Sequence, residues 1–471
     1  WDPQANAVDQ EIKNGRAYII AKYAAVLNFT NAEVSYLGSA DGESYGVAWR
    51  DLNNSATPDQ LRARVTGSVL NSRFHHNYYG VYTFQASDMV FRGNQFYENI
   101  RYGFDPHDYT HDVLVENNLA YNNGSHGFII SRGCNNFIIR NNKAYGNNDA
   151  SPTSLAHGFM LDPGSPNSTD PQAPSFSNVL ENNEAYGNEG YGLRILGSIT
   201  NQILNNFFHD NLQEGVVVDL GSDGNLLVGN IITKNGADGL DVRETADGNT
   251  VTHNTISENG VHGIYVRSDG NVVSGNGITK NVKAGIVLLP PTGVLTIQDN
   301  QLLSNTVTLN GENGLDLRKS IKTLVQGNLS ESNGINGLYL SDSAGQNAIV
   351  RNTFRTNNGY GIRANGLLTL NNTWSANAVY GNLAGGIANT SGANRTLPPP
   401  QLLSAVDSTV TGKTAPGSTV EIFADWGQQG QVFEGSTVAD GNGDFSLTIV
   451  GAWKAANLTA IAIDTEGNAS A

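Results

Sequence analysis

A glycine recurs through the middle of the chain about every 22 to 24 residues, and no other feature constrains the fold so strongly. The positions are Gly80, Gly103, Gly127, Gly158, Gly192, Gly215, Gly239, Gly263, Gly285, Gly314, Gly337 and Gly361. Each opens a short β-type run. The first and third residues after the glycine are apolar, as in Phe128 and Ile130, Leu193 and Ile195, or Leu338 and Leu340. The second and fourth vary. A strand's period of two sends the first set inward and the second outward. Asparagines form another column: Asn117-Asn118, Asn141-Asn142, Asn182-Asn183 and Asn205-Asn206, then single Asn230, Asn254, Asn276, Asn300, Asn328 and Asn352. Stacked at one turn, they can bond amide to amide from coil to coil and tolerate left-handed backbone. The pattern predicts an all-β chain, a right-handed parallel β-helix of roughly a dozen coils whose core comes from stacking. A propeller needs about 40 residues per repeat, and a leucine-rich repeat needs a leucine spacing that is absent. The longer gaps after Gly127, Gly158 and Gly285 read as inserted loops, the largest being the proline-rich stretch 163–174.

The flanks differ. Residues 1–70 are the least regular, with the apolar run 17–21 too brief to assign and alternating strands at 32–38 and 44–49. The repeat fades near Asn382. The expected domains are the β-helix over 1–390, a linker over 391–400 and a small immunoglobulin-like β-sandwich over 401–471. The formal net charge of −16 excludes a nucleic-acid partner, which requires a basic face. The single cysteine, Cys134, excludes an internal disulfide framework and suits a small buried filler. No apolar run is long enough to span a bilayer. No signal peptide is visible, and the abrupt opening at Trp1 is what a mature or trimmed form would show.

One coil departs from the pattern. Tyr102-Gly103-Phe104-Asp105-Pro106-His107-Asp108 puts a phenol, carboxylates and an imidazole in one segment stiffened by proline. The repeat phase turns Phe104 and Pro106 inward and Asp105 and His107 outward, onto the exposed face. Tyr82 and Phe84 take the same slots one coil earlier, and Ile129 and Ser131 one coil later, with Arg132 a step further. Arg194, Asp219, Asp241, Arg243, Tyr265, Arg267, Asp316 and Arg318 continue the stripe, which a linear ligand along the axis would touch in turn. The Tyr or His before the glycine recurs at Tyr79, Tyr102, His126, His157, Tyr191, His262 and Tyr360, and a recurring slot reads as stacking. The Asp105-Pro106-His107 run breaks the pattern, which is where function is expected.

That stretch resembles the signature of the mannuronan C5-epimerases, which convert β-D-mannuronate to α-L-guluronate within alginate. Tyr79-Gly80-Val81-Tyr82, Ser125-His126-Gly127-Phe128-Ile129-Ile130-Ser131-Arg132 and His262-Gly263-Ile264-Tyr265-Val266-Arg267 are similar to segments of the periplasmic branch, whose motif ends in Asp-Pro-His-Asp. The resemblance covers roughly residues 30–290. It implies an alginate or polymannuronate partner, an extracellular or periplasmic location and a monomer. Two features depart from it: the immunoglobulin-like tail, and Asp162-Pro163-Gly164 where that branch is more basic. The secreted branch uses calcium. No calcium-binding nonapeptide repeat is present here, so no cofactor is required by the reading and calcium stays open.

The chemistry explains the residue types. The C5 hydrogen lies α to a carboxylate, so its removal makes a dianion unless that carboxylate is neutralised; Arg132 is the candidate. His107 is the candidate base, with Asp105 or Asp108 orienting its ring. Tyr102 or a water returns a proton to the opposite face. Asp108, Tyr82, His126, Asp162, Arg194, Asp241, Arg243 and Arg267 are the candidate substrate contacts, with Arg132, Arg194, Arg243 and Arg267 expected to share one groove face and most acidic residues the others. The same intermediate can eject the 4-O-linked sugar, which makes an alginate lyase the nearest rival. A non-catalytic β-helix glycan binder is the rival from another class.

Overall fold

The computed structural model describes residues 6–8, 15–41, 44–51, 64–148, 155–164 and 172–471. Trp1 and the interior of the 163–174 insertion lie outside the described residues. The chain forms a right-handed parallel β-solenoid of about 14 turns followed by antiparallel sheets. Two compact units make it up, Trp1–Asn249 and Thr250–Ala471. No helix among the described residues is long and apolar enough to cross a membrane.

In the first unit each turn contributes one short strand to each of three parallel sheets. The sheet that carries the site runs Ile19–Lys22, Val47–Arg50, Val81–Phe84, Phe104–His107, Phe128–Ser131, Phe159–Asp162, Leu193–Leu196, Val216–Asp219 and Leu240–Val242. The irregular N-terminal part therefore already coils: Ile19–Lys22 pairs with Val47–Arg50 in parallel. This is why the turns outnumber the dozen read from the glycines.

The glycines serve close approach. A Cβ on Gly103 would stand 2.7 Å from the Gly127 carbonyl oxygen and 2.9 Å from Asn123 Nδ2. Only a hydrogen fits where successive coils touch there. The paired asparagines divide their work. Asn117, Asn141, Asn182 and Asn205 take the left-handed φ of 53 to 58°. Asn118, Asn142, Asn183 and Asn206 turn inward, and each Nδ2 donates to the next Oδ1 at 2.9–3.0 Å. A buried amide with all its partners is worth about 1 kcal/mol net, and far more is lost when one is orphaned.

In the second unit the matching ladder runs Asn254, Asn276, Asn305, Asn328, Asn352 and Asn377. Asn300, expected in that column, instead receives Asn271 N–H in a different one. The longer gap after Gly285 displaces the count. The tail folds on its own core of Val410, Val420, Ile422, Ala439 and Phe445. It also seals the last coil. Glu421 accepts from Ser375 Oγ (2.5 Å) and Ala376 N–H (2.8 Å), and Gln429 Oε1 accepts from Asn382 N–H (2.9 Å). The asparagine column that ends at Asn382 thus closes on a side chain of the module, where a bare solenoid would present open strand edges. The stretch 391–400, expected as a linker, is also packed: Asn394 is buried and donates to Asn372 and Ala469 carbonyls.

Candidate active site

Proline shapes the site strand. Phe104 N–H donates to Gly127 O of the following coil at 3.0 Å. Pro106, two residues on along the same edge, has no N–H to continue. Pairing with Phe128–Ser131 accordingly stops at Phe104, while all four residues pair with Val81–Phe84 on the other side. Asp108, Tyr109 and Arg132 then take left-handed φ values of 41, 60 and 46°. The ladder resumes at once, with Tyr109 N–H donating to Arg132 O at 2.9 Å, and the outward side chains of these coils enclose a space on the sheet face.

That space is a cleft of about 390 Å³ lined by Asp105, His107, Asp108, Arg132 and Asp162, with Tyr79, Tyr82, Tyr102, Tyr45 and Arg50 among its other walls. His107 Nδ1 stands 3.1 Å from Asp108 Oδ2, and Arg132 Nη1 3.2 Å from Asp108 Oδ1. Asp108 thus sits between the imidazole and the guanidinium. Arg132 also packs on Gly164, where a Cβ would lie 2.6 Å from its Nε. Tyr82 tilts over His107, ring centroids 5.8 Å apart. Tyr102 stacks between Tyr79 (5.0 Å) and His126 (5.5 Å), and the column continues through His157 to Tyr191. The recurring ring before the glycine is therefore a stack, and His126 belongs to it, its Nδ1 accepting from His157 N–H.

Asp105 corrects the expectation of an exposed face. It turns outward from the core yet is only 2% exposed, because the cleft walls close over it, and its Oδ1 has no hydrogen-bond partner. Burial lifts its carboxyl from 3.8 to about 7, helped by Asp162 and Asp108 and opposed by His107. Burial likewise raises Asp162. For His107, burial disfavours the charged ring, but the Asp108 and Asp105 carboxylates outweigh it and raise the pKa above 6.5. Burial and the neighbouring Asp105 raise Tyr82 and Tyr102 above the usual phenol value. Those phenols hold their protons, so they can give one but not take one.

Further along the same sheet, the arginines are engaged by carboxylates. Arg194 Nη2 meets Asp219 at 2.7 Å. Arg243 meets Asp241 and Glu214 at 2.8 Å each and lies over the Tyr191 ring. The expected separation of basic and acidic residues onto different faces does not occur. Glu214, Asp238 and Asp241 bring carboxylate oxygens within 4.8 Å of one another and could hold a cation such as calcium, but the Arg243 guanidinium already pairs with two of them. Arg267 belongs to the second unit, where it covers the Tyr265 ring at 4.1 Å. Sequence reasoning missed Tyr45 and Arg50 as cleft residues, since neither follows one of the repeat glycines.

The model of the right-handed beta helix region matches residues 5–169, 166–302 and 290–397, and that of a bacterial Ig domain matches 397–471. A mannuronan C5-epimerase of Pseudomonas fluorescens is 29% identical over 117 residues, 24% of this chain and 22% of that protein. Its namesake from Pseudomonas putida is 28% identical over 206 residues, 44% of this chain and 37% of that one. The matched segments thus span well under half the length of these relatives. A double-mutant tailspike protein of E. coli bacteriophage HK620, solved in complex with a pentasaccharide, shares the fold at a TM-score of 0.54 and 10% identity, covering 96% of this chain and 86% of that one.

Proposed function

The chain belongs to the right-handed β-helix family, and on that premise we propose that it is a C5-epimerase acting on mannuronate residues within alginate. The observation that carries this reading is the line of buried Arg132, buried Asp108 and half-buried His107, set in a cleft beside phenols that keep their protons. Asp108 occupies the Nδ1 side of His107, so Nε2 is the nitrogen for substrate. Neutral His107 takes the C5 proton. Asp105, protonated below about pH 7, hydrogen-bonds the substrate carboxylate, and Arg132 adds positive charge on the same side. Together they offset the charge that builds as C5 ionises. Tyr102 or Tyr82 returns a proton to the opposite face; the tyrosine then recovers a proton from solvent and His107 gives up the one it took. An enzyme of this kind works where the polymer lies, in the periplasm or outside the cell.

The test is an NMR time course on polymannuronate. Guluronate anomeric signals should grow without unsaturated chain ends. Unsaturated ends growing instead would assign β-elimination, and unchanged polymer with retained binding would assign a glycan-binding protein.

A further inference from the structure

The third sheet of the first unit carries a histidine pair unrelated to the cleft. His75 closes strand Arg73–His75, and His76 follows with a left-handed φ of 54°. That backbone brings consecutive rings together, with Nδ1 of His75 2.8 Å from Nδ1 of His76. The outer nitrogens face carboxylates: His75 Nε2 is 3.1 Å from Glu33 and His76 Nε2 3.3 Å from Glu98. Stacking holds each ring, His75 on Tyr97 (4.7 Å) and His76 on Tyr36 (5.0 Å).

Two neutral imidazoles carry one N–H each. In one tautomer His76 donates its Nδ1–H to His75 Nδ1. In the other, both N–H groups face outward, His75 Nε2 to Glu33 and His76 Nε2 towards Glu98. Two lone pairs then face each other at 2.8 Å, and a third proton or a metal ion can join them.

We propose that His75 and His76 chelate a divalent transition metal of the Cu(II) or Ni(II) class through their Nδ1 atoms. The bite distance selects the class. With metal–nitrogen bonds of about 2.0–2.1 Å, nitrogens 2.8 Å apart subtend roughly 85–90° at the ion. A tetrahedral ion would hold them about 3.4 Å apart, whereas tetragonal coordination takes a right angle. Glu33 and Glu98 stand behind the ligands as the carboxylates that fix the imidazole tautomer in metal sites. The His76 side chain is 39% exposed, so an ion can enter from solvent and water can complete its coordination.

The test titrates Cu(II) into the full chain, following stoichiometry by calorimetry and coordination by electron paramagnetic resonance. One ion per chain with two-nitrogen hyperfine structure is expected. His76→Asn keeps a residue that tolerates the left-handed backbone; it should erase the two-nitrogen pattern while the circular dichroism stays that of the folded chain. Glu98→Gln should weaken affinity by about 10–100-fold. Equal uptake by the wild type and His76→Asn would mark adventitious binding and overturn the proposal. So would the absence of stoichiometric uptake with an N–H resonance shared between the two rings, which would put a proton in the gap.

Discussion

Replacing Asp105 by asparagine tests the electrostatics of the cleft directly. The change is close to isosteric and removes one ionisable group. Burial lifts the Asp105 carboxyl from 3.8 to about 7. Below pH 3.8 the folded and unfolded chains both hold this proton. Between 3.8 and 7 the folded chain alone holds it, so its stabilising contribution declines as pH rises through the folded value. Above 7 that contribution is gone. The gap of about three pH units, at 1.36 kcal/mol each, is worth roughly 4 kcal/mol at most. The asparagine side chain cannot titrate. The stability of Asp105→Asn relative to wild type should therefore climb between pH 4 and 8 by up to that amount. Urea unfolding followed by tryptophan fluorescence reads it, since Trp49 is buried in the same unit. A difference that stays flat with pH, or shrinks, would show that Asp105 is ionised at no unusual cost and would refute the reasoning.

Other outcomes follow from the same geometry. His107→Ala should slow C5 hydrogen exchange in polymannuronate by about 10²–10⁴-fold, read as deuterium uptake from heavy water, with the circular dichroism unchanged. Activity should pass through a maximum in pH, because it needs neutral His107 and protonated Asp105 together, and Asp105→Asn should remove the decline that follows as Asp105 ionises near 7. Asn142→Ala leaves the Asn118 amide without its acceptor and should cost about 1–3 kcal/mol in urea unfolding. Gly127→Ala places a Cβ 2.8 Å from the Gly158 oxygen and should lower the thermal midpoint more than an alanine at open Gly221.

The solenoid was legible because its signals are local and repeat. One glycine, two apolar residues and one asparagine per turn state the coil, and stacking multiplies them. The motif strand was legible as an interruption of that rhythm. Neighbourhood was not. Period two turns Asp105 outward, but only side chains from neighbouring coils, Tyr79, Tyr82, Arg132 and Asp162 among them, make a pocket in which outward means buried. Arg194 and Arg243 keep their expected slots, yet their ion pairs reach Asp219 and Glu214 on other coils, beyond any rule within one strand. Asn300 shows the limit of counting: an insertion moved it to another column without changing its residue type.

The asparagine ladder counts coils, not residues. Asn118 reaches Asn142 across 24 positions at 2.9 Å, and Asn142 reaches Asn183 across 41 positions at 3.0 Å. Seventeen additional residues thus enter one turn without a phase error. Doubling a loop costs only about 0.6 kcal/mol in closure entropy. One of the splice points starts at Gly164, which is itself a wall of the cleft, and its far side returns through Gln172 to bond the Gly164 carbonyl. The scaffold behaves as a chassis with a socket. Residues can be exchanged after Gly164 while His107, Asp108 and Arg132 stay bolted to neighbouring coils.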